Sequence, residues 1–352
     1  MPFSFLQDHH AARIIAWSIG IFGVLSNLAI LWRNNKYKFV KTFNSNPLDN
    51  RRNQPAKKVS TIINYLICHL ATADLLGASY LIIIASADLY YGYHHPNMFQ
   101  NPSPGNSTNL WLLSPFCHLS RFLIFCTSIV SILITFVIAI DRFITVIFLR
   151  YRLRLNIFRC QMIILACWLF SIGYALIPTI RNIIVMHPVS KYRFDMVSNL
   201  CLYLDVVPYY SAAYILSRQI IYFTLIGLIA MMYLLIIIYI KARGRNLGSR
   251  KNRVEKRIFL IMIIITISNI CSLLPSFLVF TLARDESSLV AIQSFQRTFT
   301  IFIVAVFANT AINPIVYFAL TTSIKNRAPF LRFSTKKNKV RPVNKPENFK
   351  PK

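Results

Sequence analysis

Charged residues are scarce in this sequence, and acidic ones are the scarcest. Only 14% of the 352 residues are Asp, Glu, Lys or Arg, whereas soluble domains carry about a quarter. Hydrophobic residues make up 55% of the chain. This composition excludes an ordinary soluble domain and predicts a membrane protein.

The sequence also lacks the patterns that carry enzyme or metal chemistry. It contains no cluster with metal-ligand spacing, no nucleophile triad and no phosphate-binding loop. The pairs His9–His10 and His94–His95 are predicted to face solvent rather than to bind a metal. We therefore expect neither an enzyme nor an organic cofactor.

Seven hydrophobic segments are each long enough to cross a bilayer, which takes about 20 residues in a helix. They cover residues 13–32, 61–89, 114–148, 160–182, 211–241, 256–283 and 295–321. The predicted fold is therefore an all-α membrane protein, a seven-transmembrane helix bundle. These segments are numbered spans one to seven below.

Basic residues outnumber acidic ones by 39 to 11, and their distribution gives the predicted topology. Roughly 30 of the 39 lie between spans one and two, three and four, and five and six, or after span seven. Because cytoplasmic loops are enriched in Lys and Arg, we expect the N-terminus outside and the C-terminus in the cytoplasm. The membrane thus accounts for the charge of +28, and no nucleic-acid partner is expected.

The chain divides into three predicted regions. Residues 1–12 form a short extracellular N-terminus, and span one is expected to be an uncleaved signal anchor. The seven-transmembrane domain covers residues 13–322. It includes a basic first intracellular loop at 33–60, expected to be disordered and attracted to anionic lipid. The alternative is that this loop is an insertion or a gene-model error. Residues 323–352 are predicted to be an amphipathic segment and a disordered basic cytoplasmic tail.

Two of the seven cysteines, Cys117 and Cys201, fall on the predicted extracellular side. Disulfides persist there, so a bond between them is expected, with two free thiols as the alternative. The sequon Asn106-Ser107-Thr108 also lies in an extracellular loop of this topology and predicts glycosylation of Asn106.

A motif of two amides and a proline ends span seven. Asn309 and Asn313 share a helix face, and Pro314 directly follows the second amide. The proline frees a backbone carbonyl that must find a partner inside the protein, and the two amides are expected to supply it. The sequence Asn-Pro-x-x-Tyr, ending at Tyr317, resembles the last membrane helix of the rhodopsin-like (class A) G-protein-coupled receptors. A kinked helix that merely packs is the alternative.

A carboxylate in span two carries a second resemblance to this family. Asp74 lies in the middle of its span, where a charge costs about 2.5–3.5 kcal/mol, so it needs partners in the bundle interior. With polar residues of spans three and seven it resembles the family's sodium pocket, which implies an allosteric sodium ion. A hydrogen-bonded packing residue without an ion is the alternative. The predicted polar network comprises Asn27, Asp74, Ser131, Asn269, Asn309 and Asn313.

Span three ends in Asp141-Arg142-Phe143, which resembles the family's Asp-Arg-Tyr motif with Phe in place of Tyr. Glu255, at the start of span six, resembles the acid that holds this arginine in inactive receptors. The alternatives are an arginine that reaches lipid phosphates and a Glu255 that is an ordinary solvated charge. The predicted activation gate and G-protein contact comprises Asp141, Arg142, Glu255, Pro314 and Tyr317.

Three further stretches, 80–90, 197–205 and 311–322, resemble the leucine-rich-repeat-containing receptors for glycoprotein hormones and relaxins. That branch normally carries a large extracellular repeat domain. The sequence begins a dozen residues before span one, so we expect either a fragment or a chain that works without that domain. Phe307 stands where an opsin has lysine and Ile124 where amine receptors have aspartate, so retinal and monoamine ligands are not expected.

The resemblance implies a plasma-membrane receptor that transmits an extracellular peptide or protein-hormone signal to heterotrimeric G proteins. Charged residues near the outer ends of the spans are the expected ligand contacts, with ordinary rim charges as the alternative. They are Asp88, Arg121, Arg181 and Arg218. A seven-span transporter or channel and a non-signalling receptor-like remnant are the alternative functions.

Overall fold

The computed structural model describes part of the chain. The described residues are 10–43, 54–94, 111, 114–147, 156–184, 200–201, 208–243, 263–264, 267–268 and 307–326. They form six long helices: α1 His10–Phe43, α2 Gln54–His94, α3 Pro115–Ile147, α4 Ile157–Ile184, α5 Pro208–Arg243 and α6 Ala308–Asn326. No strand occurs among these residues, in agreement with the all-α prediction.

Five of the helices contain a stretch long and apolar enough to cross a membrane. These stretches are His10–Asn34, Ile62–Tyr91, Pro115–Ile147, Ile157–Ile180 and Leu216–Tyr239. They coincide with predicted spans one to five to within five residues at each end. Helix α6 covers the second part of predicted span seven. Predicted span six lies outside the described residues except at 263–264 and 267–268.

The basic loop predicted at 33–60 is helical at both of its ends. Helix α1 continues to Phe43 and α2 begins at Gln54, so the expected disorder is wrong at these two ends. A helix that leaves the apolar segment can continue, because each added residue closes one more backbone bond to the preceding turn. Pro55 does not prevent this, since it lies in the first turn of α2, where a backbone N–H has no helical partner.

Helix α3 is the central helix of the described bundle. It packs against α2, α4 and α5, and 78% of its most apolar stretch is buried, compared with 28% in α4 and 22% in α5. Helix α1 packs against α2 and α6. The approach is close at Gly23, where an added Cβ would lie 2.9 Å from Ala78 Cβ and 3.1 Å from Thr310 Oγ1. Small residues allow membrane helices to approach this closely.

Two buried clusters divide the bundle along its length. One surrounds Cys117 and Cys201, and we call this the disulfide end. The other includes Tyr317 and lies towards the end of α3 that carries Arg142, which we call the opposite end. The predicted site residues therefore fall at three levels: the disulfide end, a middle level around Asp74, and the opposite end.

Candidate functional site

Cys117 and Cys201 form the predicted disulfide, with Cα atoms 5.5 Å apart and a sequence separation of 84. The alternative of two free thiols is therefore wrong. The neighbouring Leu200 is buried, and its carbonyl accepts a hydrogen bond of 2.9 Å from the hydroxyl of Tyr80 in α2. This hydrogen bond and the disulfide together join α2, α3 and the segment at 200–201.

Asp88, near the end of α2, is paired with Arg13 of α1. The Arg13 Nε atom lies 2.8 Å from Asp88 Oδ2, and the aspartate side chain is fully buried. Asp88 is predicted from the sequence as a ligand contact or a rim charge, and neither prediction includes this partner. Breaking a buried ion pair leaves an uncompensated charge, so the pair ties α1 to α2 at the disulfide end.

Arg121 and Arg218 are buried, with 1% and 7% of their surfaces exposed. Arg121 Nη1 lies 3.4 Å from His118 Nδ1 on the same helix. The Arg218 guanidinium lies 5.4 Å from the ring centroid of Phe125, a cation–π contact that stabilises a buried cation. This burial does not fit the alternative of ordinary rim charges.

A group of hydroxyls and aromatic rings lies beside Arg218, between α4 and α5. The Tyr174 hydroxyl is 2.8 Å from Ser217 Oγ, and the rings of Tyr174 and Tyr214 stack with centroids 4.8 Å apart. Phe125 meets Tyr214 edge-on at 5.6 Å. Sequence reasoning missed this group because tyrosines within an apolar span give no pattern distinct from that of core residues.

Asp74 is buried at the middle level and is bonded to α6. Asn313 Nδ2 donates a hydrogen bond of 2.8 Å to Asp74 Oδ2, and the two residues are 4% and 2% exposed. The structure thus brings together two of the predicted network residues. A cavity of about 30 Å³, enough for one or two water molecules, lies beside Asp74. Its lining includes Asp74, Thr127, Ser128, Ser131, Asn309 and Thr310.

Two oxygen atoms around Asp74 are buried without a donor. Within the described part of the chain, no hydrogen bond reaches Ser131 Oγ or Asn313 Oδ1. A buried acceptor without a donor is costly, so these atoms favour a small polar or cationic guest. Oxygen atoms grouped around a carboxylate are the ligands that hard cations prefer. The residues present therefore fit the sodium ion implied by the family, and they also fit water.

Asn27 binds the backbone of α6 rather than the Asp74 carboxylate. Its Nδ2 donates a hydrogen bond of 2.9 Å to the carbonyl oxygen of Thr310. Thr310 lies four residues before Pro314, which has no N–H to donate to that carbonyl. The expectation that Asn309 and Asn313 supply the donor for the freed carbonyl is therefore wrong. Helix α1 supplies the donor instead, because it approaches α6 closely enough for an amide to reach the backbone.

At the opposite end, Arg142 is bonded to its neighbour in sequence. Its Nη2 lies 2.7 Å from Asp141 Oδ2, and both residues are buried. Tyr317, which follows Pro314 in α6, is also buried, and the guanidinium of Arg33 lies 4.6 Å from its ring centroid. The arginine and the tyrosine of the predicted gate therefore both lie inside the bundle.

Some of the predicted site residues lie outside the described part of the structure. They are Asn106, Glu255 and Asn269, together with the side chain of Arg181 in α4. Three points therefore stay predictions: glycosylation of Asn106, a contact between Arg142 and Glu255, and the place of Asn269 in the polar network.

The sequence matches a family of known proteins and several of its members. The family model described as 7 transmembrane receptor (rhodopsin family) matches residues 54–317. The G-protein coupled receptor GRL101 of Lymnaea stagnalis is 26% identical over 175 residues, 49% of this chain and 13% of that protein. The thyrotropin receptor of Bos taurus is 22% identical over 259 residues, 73% of this chain and 29% of that protein.

The follicle-stimulating hormone receptor of Cairina moschata is a further relative, 24% identical over 271 residues. The match covers 74% of this chain and 32% of that receptor. The chain thus spans 13% to 32% of the length of these three relatives. Two of them are glycoprotein-hormone receptors, which confirms the resemblance to that branch, and the family consists of receptors rather than enzymes. Because the family model covers more than half of the sequence, the chain belongs to the rhodopsin family of seven-transmembrane receptors.

Proposed function

We propose that the chain is a plasma-membrane receptor that transmits the binding of an extracellular ligand to heterotrimeric G proteins. The observation that carries the proposal is the bond between Asp74 and Asn313, which joins α2 to α6 at the middle level. Four residues after Asn313, α6 presents Tyr317 at the opposite end, near the level of Arg142. A rearrangement around Asp74 would therefore be transmitted along α6 to Tyr317 of the activation gate.

In this proposal the disulfide end faces the outside and the opposite end faces the cytoplasm. A disulfide persists on the oxidising side of the membrane, which supports the first assignment. Basic residues support the second, because they cluster where helices leave the bundle at the opposite end. They include Lys36, Lys38 and Lys41 of α1 and Lys241 and Arg243 of α5.

We infer that the ligand is a peptide or protein hormone that contacts the outer half of the bundle. Two of the relatives are named as receptors for hormones, which supports this class. Arg121 and Arg218 would attract acidic groups of the ligand, and the hydroxyls of Tyr174 and Ser217 would bind its polar groups. Asp88 would be reached only by a ligand that displaces its present partner on α1.

At the opposite end, the proposed step is an exchange of partners by Arg142. In the resting arrangement its guanidinium is held by Asp141. Signalling requires the guanidinium to leave that carboxylate and bind the terminal helix of the G protein. In this step the pair acts as a bistable contact, because each arrangement gives the buried charge a partner.

The Asp74 site would hold an allosteric sodium ion in the resting receptor. Bound there, the ion would neutralise the buried carboxylate, which stabilises the arrangement that contains it. Asp74, Ser131 and Asn313 are the residues that would hold it. The cavity beside Asp74 and the two donorless oxygens support this assignment, with a hydrogen-bonded network without an ion as the alternative.

Nucleotide exchange on co-expressed G proteins tests the proposal without any ligand. Asp141→Asn removes the charge that holds Arg142, so basal exchange should rise roughly tenfold, because a hydrogen bond to a charged group contributes about 1.5–3 kcal/mol. Arg142→Ala should abolish exchange in both backgrounds. Arg159→Ala, an exposed arginine of α4 at the same end, is the matched control and should change nothing.

Replacing Na⁺ by choline should also raise basal exchange, and Asp74→Asn should remove this dependence.

The outcomes separate the alternative functions. One outcome would refute signalling and favour the receptor-like remnant. In it, the Asp141→Asn variant reaches the surface at normal abundance, yet exchange stays at the level of cells without receptor for every G-protein class. A solute or ion flux that depends on the chain would favour the transporter. Exchange that rises with Asp141→Asn but ignores Na⁺ would refute the sodium assignment alone.

A further inference from the structure

Arg33, at the end of the first candidate membrane span, lies over two aromatic rings of α6. Its guanidinium carbon is 4.6 Å from the ring centroid of Tyr317 and 4.9 Å from that of Phe318. Both distances lie within the roughly 6 Å over which a ring face attracts a cation. Tyr317 is buried beneath the guanidinium, and Arg33 itself is half-buried. From the sequence, Arg33 is predicted only to belong to the basic loop at 33–60.

A second contact joins the same two helices closer to the middle of the bundle. Asn27 Nδ2 donates to the backbone carbonyl of Thr310, about two helical turns before the level of Arg33 and Tyr317. This bond is buried and uses the backbone of α6, beside the close helix approach at Gly23. It therefore fixes the α6 backbone itself against α1.

Pro314 separates the two contacts along α6. It removes the backbone bond between residues 314 and 310, so the part of α6 after the proline can change direction relative to the part before it. The Asn27 bond holds the part before the proline. The Arg33 contact holds the part after it, through the side chains of Tyr317 and Phe318.

We propose that Arg33 is a positioning residue for the gate, holding Tyr317 and the segment after Pro314 in the resting arrangement. When the guanidinium leaves the rings, the segment after the proline turns about the Asn27–Thr310 contact and Tyr317 is released. Arg33 thereby lowers basal signalling without touching the G protein or the ligand. The signalling part of this inference rests on the proposed function.

Basal nucleotide exchange measures the effect on signalling. Arg33→Gln removes the positive charge at similar length and should raise basal exchange roughly threefold to tenfold. Arg33→Lys keeps a cation that can lie over the rings and should restore most of the resting level. Arg159→Gln, the same change at an exposed arginine of α4, is the matched control and should leave exchange unaltered. All variants are compared at equal surface abundance.

Thermal unfolding of the purified receptor in detergent measures the contact independently of any G protein. Arg33→Gln, Tyr317→Leu and the double variant form a cycle, and the double variant should lose less stability than the two single losses added. Additive losses, or unchanged exchange in Arg33→Gln while Asp141→Asn still responds, would overturn the assignment of Arg33. A non-additive cycle with no exchange from any variant would overturn the proposed function and leave the contact between Arg33 and Tyr317 established.

Discussion

The disulfide end and the opposite end of the bundle are held by different kinds of contact. At the disulfide end, a covalent bond joins Cys117 of α3 to Cys201, beyond the end of α4. An ion pair joins Arg13 of α1, whose side chain is 28% exposed, to the fully buried Asp88 carboxylate of α2 at the same end. Each of these contacts connects two different elements. The elements therefore cannot separate without breaking the disulfide or moving the Arg13 cation away from the Asp88 carboxylate.

At the opposite end, the contacts described above belong to side chains that can change partners. Arg142 is bonded to Asp141 within one helix, so this pair survives if α3 and its neighbours move apart. Arg33 rests on the ring of Tyr317 by a cation–π contact, which is weak and tolerant of direction. The disulfide end is thus held by contacts between different elements, whereas these two contacts at the opposite end can change partners, which the proposed activation gate requires.

Breaking the disulfide should have the largest effect, because it removes the covalent contact from the fixed end. Cys201→Ser opens a loop of 84 residues and should lower the free energy of unfolding by about 4 kcal/mol. Thermal unfolding in detergent measures the loss. The control, Cys68→Ser, keeps an acceptor for the Asn34 amide and should lose less than about 1 kcal/mol. Equal losses in the two variants would remove the distinction between the ends.

Removing one partner of the ion pair between Arg13 and Asp88 should have the next largest effect, and the two single variants should differ. Arg13→Leu removes the cation that faces the fully buried Asp88 carboxylate and should cost about 3 kcal/mol of stability. Asp88→Leu should cost only about 1 kcal/mol, because the Arg13 side chain is 28% exposed and can turn to the membrane surface. The double variant should be more stable than Arg13→Leu alone. Equal costs for the two single variants would argue against a buried pair at this end.

The smallest effect is expected at the boundary between the two ends. Asn27→Ala leaves the Thr310 carbonyl without a donor and should cost about 1 kcal/mol of stability. Pro314→Ala restores a backbone N–H that can bond the same carbonyl, so Asn27→Ala in that background should cost almost nothing. Unfolding of the two single variants and the double variant measures the coupling. The same cost in both backgrounds would show that the amide does not replace the missing N–H.

Parts of this arrangement follow from the sequence because chemistry leaves few choices. Two of the seven cysteines fall on the predicted oxidising side, which restricts the disulfide to Cys117 and Cys201. A carboxylate in the middle of an apolar span needs polar partners from other spans, and Asn313 of span seven is one of the predicted partners that Asp74 contacts. The five described spans follow from the length of the apolar segments.

Other parts depend on distances between helices, which the sequence does not contain. The need for a donor at the carbonyl freed by Pro314 was predicted, but Asn27 is 283 residues from Thr310 and reaches it only because α1 and α6 come close. The burial of Arg121 and Arg218 was also unpredictable. Their helices are apolar on nearly every side, so periodicity does not indicate which face is turned inward.

Because Asn27 bonds the Thr310 carbonyl that Pro314 leaves without a backbone donor, the residues at positions 27 and 314 should be linked in evolution. A receptor without a proline at the position of Pro314 has its own N–H for that carbonyl and no need of an amide on its first helix. Among descendants of a common ancestor, the amide and the proline should therefore be gained or lost as a pair. An ancestral lineage that dropped the proline first would have been free to lose the amide afterwards, whereas the reverse order would have passed through a less stable intermediate.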